Sequence, residues 1–145
     1  MRQLGMDIPL YQSHGFGNIK YVQAAGEAAE GIIFPAGRLL AADTVAPNHP
    51  QKKVLMEYKS LYEGRFNEPV STFGGHAWDA IWMLKEAIEK AGADKAGIRD
   101  AFENIKGFAG TGGVFNYSAS DHTGLQKDAF EMLTVKNGQF VVLED

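Results

Sequence analysis

With 145 residues, 45% of them hydrophobic and 22% charged, the chain has the size and composition of one globular domain and not of a disordered segment. Fourteen basic against 18 acidic residues, mixed along the sequence, leave a formal charge of −4, with no basic stripe for nucleic acid and no charged tail. The absence of cysteine excludes disulfides and thiolate metal sites, and no apolar run reaches the ~18 residues of a membrane-spanning helix.

The opening MRQLGMDIP lacks the apolar core and small-residue cleavage site of a signal peptide. It reads as the last turn of a helix, with Arg2 near the carbonyl end, Leu4 buried and Gly5 left-handed just beyond. A helix end with so little helix before it predicts a chain that starts inside a longer protein. Residues 10–12 form a short buried strand, followed by the turn QSHGFG. Asn18 is a good N-cap for a short helix carrying Ile19, Val22 and Ala25 on one side and ending near Gly26. GIIFPAG places a second strand at 32–34. Helix end, strand, helix and strand make an α/β alternation with parallel strands.

The texture then changes. RLLAADTVAPNHPQ, with two prolines and no periodicity, reads as a crossing segment. Helices are predicted at about 51–63, 72–91 and 95–105. The first carries Val54, Leu55, Tyr58, Leu61 and Tyr62 at helical spacing. The second has an apolar face of Ala77, Ile81, Leu84, Ile88 and Ala91. The third is capped by Asp94, with Ile98, Ala101, Phe102 and Ile105 inward. GTGGVFNYSASDHTG is a glycine-bordered strand and loop. AFEMLTVKNGQFVVLE is a β-hairpin turning at Asn137-Gly138, the pair a type I′ turn favours.

Motifs for chemistry are missing. His14, His49, His76 and His122 have no ligand-type partner three or four residues away on a helix, so no metal site is expected. GFGNIK has Lys20 where a dinucleotide fingerprint needs its third glycine, and GTGG lacks the Gly-Lys-Ser/Thr of a phosphate loop. No nucleophile elbow or Ser/His/Asp set stands out, so neither catalytic residues nor a cofactor are expected. The turn at 12–17 remains. His14 is either an exposed loop residue or a ligand contact, favoured in the second role by its place between a buried strand and a helix start. Ser13 and Gly15 flank it, Gly15 and Gly17 permit close backbone approach, and Phe16 supplies an apolar surface. Phe73, followed by Gly74 and Gly75, is a second aromatic with space beside it, unless it packs in the core. Trp78 and Trp82 read as core.

IPLYQSHGFGN, AGEAAEGIIFPAG, STFGGHAWDAIWMLKEAIEKAG and GFAGTGGVFNYSASDHTG, in this order, resemble the C-terminal part of branched-chain amino acid (Leu/Ile/Val-type) substrate-binding proteins of ABC transporters. The resemblance covers nearly all of the chain. It implies part of a type I periplasmic-binding fold: two parallel-sheet α/β lobes joined by crossing strands, with a C-terminal β-hairpin and the N-terminal portion missing. Residues 1–42 would end the second lobe, 43–108 form part of the first, and 109–145 cross back so that the hairpin pairs with the second.

The implied function is solute capture outside the cytoplasm, in the periplasm, for an ABC permease, without chemistry on the ligand. The ligand is an amino acid or a related organic or aromatic acid. Ser13, His14, Gly15 and Phe16 form one wall of the implied site and Phe73 the other. His14 stands where amino acid binders of the family commonly place an acidic residue. A neutral imidazole is no counter-ion for an ammonium, so a carboxylate without an amine competes with an α-amino acid. A sensory ligand-binding domain of the same fold is the alternative, and an unrecognised enzyme the alternative of another class. The three helices bring large apolar faces with hardly any strand to pack on, so the chain is expected to self-associate and to bind ligand poorly.

Overall fold

The structure, a computed structural model, describes residues 4–143. The expected helix turn at Arg2 lies outside the described residues. Gly5 is left-handed as expected (φ 67°), but Leu4 is 80% exposed rather than buried.

A βαβ start is recognisable. Residues 10–12 run parallel to strand β1 (Ile33–Gly37), joined through helix α1 (Ile19–Ala25). Gln12 N–H donates to Ile33 O at 2.8 Å and Ile33 N–H to Leu10 O at 2.9 Å. The contact is a single bridge, Tyr11 to Ile33. β1 runs on through Pro35, past the predicted exit. Strand N–H groups alternate between edges, and Ile33 donates towards residue 10, so the imino side of Pro35 also faces away from the antiparallel neighbour.

The expectation of parallel-sheet lobes is corrected. Among the described residues the named strands pair antiparallel. β4 (Phe130–Lys136) lies between β1 and β5 (Gln139–Val142), and β2 (Phe108–Ala109) pairs with β3 (Val114–Phe115). The reason is that a hairpin supplies β1 with its long neighbour. A parallel sheet needs further parallel neighbours, and among the described residues none pairs on the far side of residues 10–12; Ile8 and Tyr11 there are 54% and 66% exposed. The hairpin turns at Asn137 (φ 53°) and Gly138 (φ 71°), the left-handed pair predicted from sequence. The Glu30 carboxylate accepts from both turn amides, at 3.0 and 2.6 Å, tying the turn to the end of the first segment.

The helices are α2 (Lys52–Phe66), α3 (Thr72–Ala91) and α4 (Lys95–Glu103). Asp94 caps α4 through Gly97 N–H at 2.7 Å. Phe34 and Leu133, both fully buried, centre one apolar cluster with Val22, Ile32 and Val135; burial of each such side chain is worth about 1.5–3 kcal/mol. Leu55 and Tyr58 of α2 pack with Leu39, Ala42 and Val70 in a second cluster, and Met83, Ile105 and Phe115 form a third.

α3 carries the main surprise. Its apolar face is turned outwards: Ile81 is 66% exposed, Ile88 43% and Leu84 38%. The buried face is Thr72, Gly75, Asp79, Met83 and Ala87. Small residues and one carboxylate let the backbone of residues 110–113 approach closely, which the bulkier face would prevent. Trp78 packs on Tyr58, whereas Trp82, set edge-on to Trp78, remains 41% exposed.

Candidate functional site

The QSHGFG stretch folds as a single 3-10 turn, His14–Phe16, with Ser13 extended before it. Phe16 N–H donates to Ser13 O and Gly17 N–H to His14 O, both at 3.0 Å. Asn18 then accepts from Lys20 N–H through its side chain at 2.9 Å and from Tyr21 N–H through its carbonyl at 3.0 Å. Close approach is needed at Gly17, where an added Cβ would sit 3.1 Å from Thr72 Oγ1 and 3.3 Å from Leu40 Cδ1. At exposed Gly15 it would make only an ordinary contact, 3.5 Å from Ser13 Oγ.

This packing sets the turn against the first residues of α3. The His14 ring lies 5.7 Å from that of His76 and 5.6 Å, edge to face, from Phe130 at the start of β4. Burial, and next the neighbouring His76, hold the His14 imidazole below its ordinary pKa. Phe16 turns the other way and packs on Phe34 and Phe140, at 5.2 and 6.1 Å. Ser13 is exposed, and Phe73 stands 54% exposed in the first turn of α3. The space that Gly74 and Gly75 leave beside Phe73 is filled by the protein itself. An added Cβ at Gly74 would fall 2.3 Å from the Tyr58 hydroxyl, and at Gly75 2.6 Å from Leu39 Cδ2 and Thr111 Oγ1. Thus His14 and the helix start are brought together, while Phe16 belongs to the apolar cluster below.

A buried polar chain under this junction ties Asp79, Gln51, Arg38 and Glu131 to residues 110–112. Asp79 is 1% exposed; one oxygen accepts from Thr111 N–H at 2.7 Å, the other from Gly112 N–H at 2.8 Å and the Thr111 hydroxyl at 3.1 Å. Burial pushes its carboxyl above the ordinary value, partly offset by these bonds and by His76. Gln51 donates to Gly110 O at 2.8 Å and accepts from Arg38, which pairs with Glu131 at 2.7 Å. No motif marks these residues. The legible signal was the four-residue spacing of Gly75, Asp79, Met83 and Ala87, a second stripe on α3, together with the glycines of GTGG. A Cβ at Gly110 would lie 2.7 Å from the Asp79 carboxylate. A cleft of about 520 Å³ lies elsewhere, between residues 6–10 and 28–33 along the open edge of the sheet. It includes neither His14 nor Phe73. Among the described residues no group of three potential metal ligands occurs, and no helix is long and apolar enough to cross a membrane.

Comparison with known proteins bears on the family of the chain. The leucine-, isoleucine-, valine-, threonine-, and alanine-binding protein of Pseudomonas aeruginosa is 28% identical over 101 residues, which are 69% of this chain and 25% of that protein. An extracellular ligand-binding receptor from Rhodopseudomonas palustris HaA2 superimposes with a TM-score of 0.91 at 29% identity, covering 99% of this chain and 43% of that one. The branched-chain amino acid transporter substrate-binding protein LivJ from Streptococcus pneumoniae, in complex with isoleucine, gives 0.76 at 27% identity, covering 96% of this chain and 37% of that one. The chain therefore spans less than half the length of each. The family described as periplasmic binding protein matches residues 1–139, nearly the whole sequence. The chain belongs to the periplasmic binding protein family, a family of binding proteins and not of enzymes.

Proposed function

We propose that this chain is the C-terminal part of an extracytoplasmic solute-binding protein of an ABC importer, which holds a small amino acid or related carboxylate between two lobes. The observation that carries the reading is the packing of the His14 turn onto the start of α3, beside the crossing segments. In this reading residues 1–42 and the hairpin belong to one lobe and 43–108 to the other, so the junction is where the lobes meet. The two sides are chemically unlike, as a ligand with a polar and an apolar end requires. Ser13, His14, Gly15 and the half-buried Phe16 make the polar wall with its backing, and Phe73 offers the apolar one. His14 is the group closest to neutral polarity there, and the one nearby buried carboxylate, Asp79, is committed to Thr111 and Gly112. An ammonium would find no free counter-ion among these residues, which favours a carboxylate ligand. The outward face of α3 is the surface through which isolated copies of the chain associate with one another.

A thermal-shift screen of the full-length protein against aliphatic amino acids and aliphatic and aromatic acids tests this. Occupancy at a hundred times Kd stabilises by about 2.7 kcal/mol, a readily measured rise in Tm. A hit whose shift survives both His14→Ala and Phe73→Ala would remove the site from this junction.

A further inference from the structure

We infer that His14 and His76 together form a subsite for a ligand's carboxylate, which binds there together with a proton. The inference rests on the reading of the His14 turn as a ligand wall, and adds a residue and a linkage to it. Three observations lead to it. First, the two imidazoles come from different segments and lie 5.7 Å apart between ring centres, tilted at 44°. A carboxylate can span that gap, each oxygen accepting from one ring. Second, both rings are held in place. Phe130 lies edge-on to His14. The Gly112 backbone runs so close to His76 that an added Cβ would lie 3.0 Å from Nδ1. Third, the surrounding charges are already committed. Asp79, one turn along α3, accepts its three bonds from Thr111 and Gly112. Arg38 and Glu131 pair with each other beside β4, and β1, under the turn, has no ionisable side chain.

Burial, and next the neighbouring His76, hold the His14 imidazole below its ordinary pKa, which favours the neutral ring in the free protein. An arriving carboxylate favours the imidazolium, and a proton is taken up from solvent as the anion binds. Affinity for an anion therefore falls as pH rises, whereas an α-ammonium placed there is repelled.

Histidine-ring NMR spectra of the full-length protein with millimolar benzoate or leucine, from pH 6 to 8, test the inference. Benzoate is expected to move the ring signals of both residues, with an apparent Kd that weakens by up to about tenfold per pH unit, the limit for one linked proton. Leucine should leave them in place. His76→Gln, a change at an exposed position, should flatten the pH dependence and weaken benzoate several-fold at pH 6. Benzoate that perturbs His14 with a pH-independent Kd, or equally in His76→Gln, overturns the paired subsite and leaves the ligand wall standing. Leucine moving the rings while benzoate does not reverses the ligand class. If neither compound perturbs either ring, the ligand-wall reading fails and the subsite with it.

Discussion

Removing the Asp79 carboxylate should release the crossing segment it holds. In Asp79→Ala, the Thr111 and Gly112 amides lose acceptors at 2.7 and 2.8 Å, and the Thr111 hydroxyl loses one at 3.1 Å. All are buried, and the compact wrapping of residues 110–113 leaves little room for water to replace the carboxylate. A buried donor left unsatisfied costs about 1–3 kcal/mol, so two amides give roughly 2–6 kcal/mol, a large share of the ~5–15 kcal/mol that holds a domain together. Asp79→Asn keeps one acceptor oxygen but turns an amide nitrogen towards a donor, so it should cost less, about 1–3 kcal/mol. Urea unfolding followed by the fluorescence of Trp78, the neighbour of Asp79, measures both. If Asp79→Ala does not fold, Asp79→Asn still gives a midpoint. Amide exchange at Thr111 and Gly112 localises the effect. A loss under 0.5 kcal/mol in Asp79→Asn, with unchanged exchange at those two amides, would refute the reasoning.

Four shorter predictions concern packing, charge and association. Gly74→Ala must displace the Tyr58 hydroxyl from 2.3 Å and should destabilise by about 1–3 kcal/mol, whereas Gly64→Ala, with nothing within 4 Å, should stabilise by about 0.5–1 kcal/mol; thermal melts compare them. Glu30→Ala strips the Asn137 and Gly138 amides of their acceptor, and faster exchange of those two amides than of the β1–β4 ladder is expected. His14 has a depressed folded pKa, so the unfolded chain binds its proton more tightly. The stability this group contributes is present above the ordinary 6.5 and is lost as pH falls below it, and His14→Gln should flatten that part of the profile. Ile81→Lys with Ile88→Lys should shift the chain towards monomer in sedimentation velocity; association unchanged in the double variant would place the contact elsewhere than on α3.

The sequence alone settled what depends on neighbouring residues. Asn18 and Asp94 mark helix starts because a short polar side chain satisfies amides two or three residues on, and both accept such bonds. Asn137-Gly138 defines its turn because both positions need positive φ. Tertiary structure decided which face of a regular element meets the protein. The apolar face of α3 has the stronger periodic signal, yet the stripe Gly75, Asp79, Met83 and Ala87 is buried, because Gly75 leaves room for Thr111, Asp79 accepts from residues 111–112, and Met83 packs on Ile105 and Phe115. It also decided the direction of the strands, since β1 pairs with a hairpin nearly 100 residues later, a contact that periodicity cannot carry. The candidate site divides in the same way. His14 and Phe73 stand out locally as an imidazole and an aromatic beside glycines. His76, Asp79, Gln51 and Arg38 are ordinary helix and loop residues until folding sets them against backbone and side chains from distant segments.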